Sequence, residues 1–293
     1  LKTVDRISTL TLLAGTTACT NNCHICISKM TPKHDMDKLH PINVEKFHKA
    51  CNIAKNFNTE NVLITGKGEP TLFPAQITEY LWHLRDYNFD KIELQTEGDT
   101  VYNLPDDILR IWKMMGLDVI AVSIYHYGYQ SNWNGFDRVA IGDGLPSIED
   151  IVKRLKKFGF EVRLSCCMMK GYIDSVVDVD KLITFAHTLG VMQLTLRDTS
   201  RPDKPLDKQI GKNVDELKLD RSDLKRIVKY VDEVGTLVRT LNHGATVYDF
   251  DGQNVSLTTG LGSVDRNKIR ELIFFPYGLL TTSWVHVNGG RLL

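Results

Sequence analysis

Short apolar, β-branched stretches alternate with segments of helical period along most of the chain, and this alternation restricts the fold more than any other feature. It begins with "ISTLTLLAG" (7–15) and, after a long cysteine-bearing loop, a helix over 43–57 with Val44, Phe47, Ala50, Cys51 and Ala54 on one face and Asn43 as N-cap. Strands follow at 61–66, 91–96, 118–125, 161–169 and 191–197, and helices at 75–87, 105–115, 147–159, 176–189 and 220–233. Ser147 and Asp150 form a capping box, with Asp in place of the usual Glu. Strands separated by helices must pair mostly in parallel, and right-handed crossovers curl such a series into a barrel. Six units predict an α/β fold, a partial (β/α)6 TIM-like barrel.

The remainder, 236–260 and 270–285, alternates at period two around glycine turns and predicts a small β-rich C-terminal extension or cap over the barrel mouth. Without a repeat or Pro-rich linker, 1–200 is expected as the barrel core and 201–293 as the sixth helix and β-rich extension on the same domain. The polar stretch 198–213 reads as a mobile loop. Position 1 is Leu and the chain ends "NGGRLL", which is compatible with residues missing from either end.

Charge adds exclusions. Lys plus Arg and Asp plus Glu both number 36, so no global field draws the chain to nucleic acid or to a membrane surface. "KRLKK" (153–157) is a solvated helix face rather than a basic stripe. No apolar run spans a bilayer and no basic-then-apolar leader opens the chain, so the expected location is cytoplasmic, with no membrane partner.

Half of the six cysteines fall in "CTNNCHIC", where Cys19, Cys23 and Cys26 form C-x3-C-x2-C. This is not the even spacing of a disulfide framework. Zinc would need a fourth ligand, for which His24, His34 and His40 are near in sequence. An iron–sulfur cubane held by three thiolates would instead leave one iron open to an outside ligand. Three core cysteines at such spacing in an Asn-rich loop would be unusual. One strand later comes "TGKGEPTLFP" (65–74), a glycine-rich turn that exposes backbone polar groups at the C-terminal end of a parallel strand and carries Glu69. It lacks the G-K-[ST] ending of a nucleotide phosphate loop.

The cysteine motif after the first strand and the G-x-G-E-P turn after the second, in that order, resemble the radical S-adenosylmethionine (SAM) enzymes, and the resemblance runs from about residue 7 to residue 197. It implies that Cys19, Cys23 and Cys26 hold a 4Fe–4S cluster whose fourth iron is chelated by the methionine part of SAM. Ile25 stands where the family usually has an aromatic residue. Gly66, Lys67, Gly68, Glu69 and Pro70 match the family's G-G-E-P, with Lys67 replacing a glycine; Lys67 is expected as either a solvated or a functional lysine. "LQTEG" and "VSIY" resemble the ends of the third and fourth strands and imply Thr96, Gly98 and Ser123 in the SAM pocket. "VRLSCCMMKGYID" (162–174) resembles a fifth-strand segment whose basic residue, here Arg163, approaches the SAM carboxylate. The resemblance further implies reductive cleavage of SAM to a 5′-deoxyadenosyl radical that abstracts hydrogen from a substrate, oxygen sensitivity, and an external flavodoxin- or ferredoxin-like electron donor.

Strand parity extends the candidate set. If Arg163 points into the barrel, so do Ser165 and Cys167, while Cys166 faces the helices; Gln193, Thr195 and Arg197 share one face of the sixth strand. Ser165 and Arg197 therefore join the cofactor-binding candidates. Cys167 is a weak catalytic candidate as a hydrogen-atom donor, against simple space filling. Tyr125, His126, Tyr127, Tyr129 and Trp133 either stack on a planar substrate or form a lid core.

The neutral charge and the aromatic loop point to a small substrate, a nucleotide, nucleoside or similar metabolite. The alternatives are modification of a peptide or protein, which often uses further cysteines not found after Cys167, and modification of RNA or DNA. A non-enzymatic zinc or iron–sulfur protein would explain the thiols but not the glycine turn.

Overall fold

A computed structural model describes residues 7–138, 144–241, 244–259, 269–284 and 292–293. Six parallel strands lie side by side in chain order: β1 Thr9–Leu13, β2 Asn61–Thr65, β3 Lys91–Thr96, β4 Val119–Ile124, β5 Glu161–Met168 and β6 Gln193–Asp198. Helices Val44–Asn56, Pro74–Leu84, Asp106–Met114, Ile148–Lys157 and Val176–Leu189 cross between them. Each strand turns alternate residues to the helices. Leu10, Leu12, Val62, Ile64, Leu94, Ile120, Val122, Leu164, Cys166, Leu194 and Leu196 form one continuous core with Phe47, Cys51, Tyr80 and Trp112 from the helices. The opposite, inward face is polar and carries Thr11, Glu93, Gln95, Ser123, Arg163, Ser165, Thr195 and Arg197.

The helix starts behave as their sequences predict. The Asn43 side chain accepts from the Lys46 amide at 3.1 Å, and the Ser147 hydroxyl accepts from the Asp150 amide at 3.0 Å while Asp150 accepts from the Ser147 amide at 3.3 Å.

Of the two forms its alternation allows, a cap or an extension, the described residues of the C-terminal segment take the second and lengthen the sheet at both edges. β7 Thr236–Thr240, β8 Thr246–Phe250 and β9 Gln253–Thr258 form an antiparallel meander, and β9 pairs in parallel with β6. β10 Glu271–Phe274 pairs in parallel with β1, and β11 Leu280–Thr281 returns antiparallel to β10. The sheet order is β11-β10-β1-β2-β3-β4-β5-β6-β9-β8-β7. The physical reason is the exposed edge: β1 and β6 would otherwise leave unpaired backbone groups, which these strands satisfy.

Two loops are more ordered than expected. Within 198–213, Asp207 accepts from the Ile210 amide at 3.0 Å and starts a helix, Lys208–Leu217, that buries Ile210 and Val214. The aromatic loop contains a helix, Tyr129–Gly135, whose Trp133 packs with Tyr125, Phe136, Ile25, Met30 and Met169 in a second apolar cluster. Tyr125 and Trp133 therefore fill a core beneath the cysteine loop, which decides against their stacking on a substrate. Tyr127 stacks on His126 at 4.1 Å, and the Tyr129 hydroxyl donates to the Leu145 carbonyl. Residues 139–143 of that loop lie outside the described residues. No helix among the described residues is long and apolar enough to cross a membrane.

Candidate active site

The cysteine loop leaves the C-terminal end of β1 and is fastened at each stage. The Ala14 amide donates to Thr65 at 2.8 Å and the Gly15 amide to the buried Gln76 side chain at 2.6 Å. Further on, the Asn22 amide donates to Phe136 and the Asn213 carboxamide to the His24 carbonyl. Cys26 then caps the short helix Ile27–Met30, its carbonyl accepting from the Lys29 amide.

The glycine turn after β2 clamps this loop. A Cβ on Gly68 would lie 1.9 Å from the Ala18 carbonyl oxygen, so only glycine permits the approach, and the neighbouring Glu69 amide donates to that same oxygen at 2.9 Å. Gly66 is crowded in turn by Ala14 and by Gly68 itself. The glycines of "GKGEP" thus bring backbone against backbone one residue ahead of Cys19.

Glu69 is a buried hub. One carboxylate oxygen accepts from the Thr71 amide, the Thr71 hydroxyl and the Thr96 hydroxyl at 2.9, 2.6 and 2.7 Å, and the other accepts from the Glu97 amide at 2.9 Å. Burial and the nearby Glu97 push its pKa up to about 7, against the pull of those donors. Glu97 in turn accepts from Thr20 and Thr100, which ties the end of β3 to the cysteine loop. Pro70 opens the following turn, and Gly98 adopts φ +103°, which leads the chain from β3 into the helix Asp99–Tyr102. Thr96 and Glu69 therefore meet, as their shared place at the strand ends suggested, but their polar atoms serve the joint between two turns.

All three thiols are free; the charge of Cys26 acts on Cys19, and those of Cys26 and Cys19 act on Cys23. Burial pushes Cys19 up to about 11 and Cys23 up to about 12, so both are protonated at neutral pH until a metal displaces the protons. Between them Asn21 is buried with neither carboxamide atom partnered. Such a loop, with close thiols and an orphaned polar side chain, fits an iron–sulfur cluster. The histidines needed for a zinc site are engaged elsewhere: His24 faces Asp137 at 3.9 Å, His34 packs on Phe275, and His40 contacts the Asp35 carbonyl. Among the described residues no group of three or more His, Cys, Asp and Glu side chains is arranged around a metal-ion position.

Lys67 is not solvated. It is 4% exposed, donates to the Thr31 hydroxyl at 2.8 Å and lies 5.3 Å from the Trp284 ring. Desolvation lowers its pKa to about 8, against the pull of Cys26 in the other direction. Neither Thr31 nor Trp284 has a local signal that would pair it with Lys67.

On the inward face, Ser123, Ser165 and Thr195 stand in one row across β4, β5 and β6. Arg163 donates to Thr195 at 3.1 Å and pairs with Glu93 of β3. Parity within "KIELQT" already puts Glu93 on that face, which is the signal by which sequence reasoning could have found it. Cys167 lies beside Arg197 in the register, and burial raises its thiol. Cys166 points the other way, into the helix-facing core.

Comparisons with known proteins bear on the family and the fold. A family model described as the radical SAM superfamily matches residues 13–185. GTP 3',8-cyclase of Aquifex aeolicus (strain VF5) is 25% identical over 177 residues, 60% of this chain and 52% of that enzyme. The chain thus spans about half the length of this curated relative. Among solved structures, Streptococcus suis SuiB bound to S-adenosylmethionine superposes with a TM-score of 0.66 and 14% identity, over 98% of this chain and 63% of SuiB. SuiB bound to precursor peptide SuiA gives a TM-score of 0.65 at 14% identity, over 98% and 62%. At such identity these structures bear on the fold alone.

Proposed function

The chain belongs to the radical SAM superfamily, an enzyme class that uses a 4Fe–4S cluster and SAM, and on that premise we propose that its substrate is a small metabolite of the nucleotide or nucleoside kind. When bound, the cluster supplies the electron that cleaves SAM to methionine and a 5′-deoxyadenosyl radical, which takes a hydrogen atom from the substrate. In this reading Cys19, Cys23 and Cys26 are the thiolate ligands. The backbone of Gly66–Pro70, with Thr96, Gly98, Ser123, Arg163 and Ser165, forms the SAM pocket. Lys67 stands as a buried cation beside Cys26. The observation that carries the cofactor site is the approach of Gly68 to the Ala18 carbonyl, which fixes the cysteine loop against the turn at the strand ends. Similarity to a GTP-cyclising enzyme supports the substrate class.

The chain's own residues hold the loop, exclude water beneath it with the Tyr125–Trp133 cluster, and present a polar inward face to whatever lies above. A second reading, modification of a peptide, is supported by the edge strand β7, exposed along its whole length and able to pair with an extended chain.

The test is anaerobic reconstitution with iron and sulfide, followed by SAM and dithionite. The expected result is 5′-deoxyadenosine, with its formation raised by a nucleotide or nucleoside panel and not by peptides. Replacing Cys19, Cys23 and Cys26 together by Ala should remove both the broad absorbance at about 400 nm and all SAM cleavage. Cleavage surviving that change would overturn the reading.

A further inference from the structure

Charge on the inward face is not balanced. Glu93 is taken by Arg163, and Glu271 accepts from the Thr11 hydroxyl and the Trp284 indole. Arg197, the penultimate residue of β6, has no carboxylate within ion-pair distance among the described residues. Two like charges act on it, Arg163 and the exposed Arg270, and each acts more strongly than Glu93; the nearer Cys167 thiol would oppose them only as a thiolate, and burial favours its neutral form. It is also largely withdrawn from water, and desolvation is the main cause that lowers its pKa. A guanidinium held in that way is costly unless an anion completes it.

We propose that Arg197, with Arg163 behind it, binds an oxyanion of the substrate, a phosphate or a carboxylate, at the C-terminal end of the inward face. The proposal deepens the radical SAM reading and rests on it for the identity of the occupant as substrate. SAM brings one carboxylate. A second buried cation without an acidic partner among the described residues, Lys67, already stands beside Cys26. Lys67 follows β2 and Arg197 ends β6, with three strands between, and neither is among the charges that act on the other, so each cation has its own place for an anion. A planar guanidinium fork suits either oxyanion through paired hydrogen bonds. Cys167, its neighbour in the register, does not neutralise it, because burial favours the uncharged thiol. This moves Arg197 from the cofactor candidates to the substrate.

The experiment titrates inorganic pyrophosphate and, separately, succinate into reconstituted, SAM-loaded enzyme by calorimetry. The first probes a phosphate and the second a carboxylate as the source of the anion. At least one is expected to bind, and Arg197→Gln is expected to weaken it tenfold or more while the SAM dissociation constant stays within twofold. Arg197→Lys, which keeps the charge and loses the fork, should weaken it at least threefold and serves if the Gln variant does not fold. The proposal is overturned if neither probe binds, if binding survives both substitutions, or if Arg197→Gln weakens SAM and leaves the probes untouched. SAM cleavage by dithionite in the same preparations separates the two failures: anion binding without cleavage sinks the radical SAM reading alone, and cleavage without anion binding sinks this proposal alone.

Discussion

Gly68→Ala tests the central contact directly. The new Cβ would start 1.9 Å from the Ala18 oxygen and 2.6 Å from its carbonyl carbon, whereas ordinary contact begins at 3.4 Å. The obstacle is backbone, so no side chain can swing aside. Either the cysteine loop lifts off the turn or the turn withdraws, and in both cases the 2.9 Å bond from the Glu69 amide to Ala18 is lost. Overpacking of this kind costs about 1–3 kcal/mol and the hydrogen bond about 0.5–1.5 kcal/mol, so the apo-protein should lose about 2–4 kcal/mol. Because Cys19 follows Ala18, the same shift pulls one ligand away from the other two. Chemical denaturation of the apo-protein would read the first effect, and iron and sulfide content after reconstitution the second. Gly144→Ala, with open space around its Cβ, is the control and should stay within about 0.5 kcal/mol of wild type. A Gly68→Ala protein with wild-type stability and full iron content would refute the idea that this turn clamps the loop.

Other consequences concern the buried charges. Lys67 has a folded pKa of about 8 against an ordinary 10.5, so between those values the unfolded chain holds more protons and stability rises with pH. Compared with Lys67→Met, the wild-type apo-protein should gain up to about 3 kcal/mol on going from pH 8 to 10.5, read as the change in the difference of urea midpoints; no such change would show that the amine is solvated. Cys19 and Cys23, pushed up to about 11 and 12, should react with iodoacetamide in the apo-protein at rates that climb about tenfold per pH unit beyond pH 9, where an ordinary thiol levels off. Early levelling would mean that the loop does not bury them. Glu93→Gln leaves Arg163 largely buried without its carboxylate and should cost about 3 kcal/mol, much of it recovered by adding Arg163→Met. If the double variant is no more stable than Glu93→Gln, the pair does not act as a unit.

The parallel barrel was legible because it is written in local periodicity: six apolar strands and the helices between them repeat a pattern that right-handed crossovers can satisfy in only a few ways. Strand parity likewise placed Arg163, Ser165, Cys167 and Arg197 on one face and Cys166 on the other, since alternation of side chains needs no knowledge of distant contacts. The cysteine spacing and the glycine turn indicated the chemistry through their resemblance to a known family, which also needs only local sequence. Only the tertiary structure decided how these pieces meet. The C-terminal strands carry a period-two pattern equally suited to a cap or to an edge, and it was the unpaired backbone of β1 and β6, on opposite sides of the barrel, that drew them there. Lys67 reads as either solvated or functional in its own neighbourhood, and becomes a buried cation because Thr31 and Trp284, 36 residues before it and far along the chain after it, close over it. Glu69 has the local look of a ligand-binding carboxylate, and its oxygens are instead committed to Thr71, Thr96 and Glu97 across two strands. Periodicity is a property of neighbours in sequence, whereas burial and charge balance belong to neighbours in space, and those exist only once the sheet has formed.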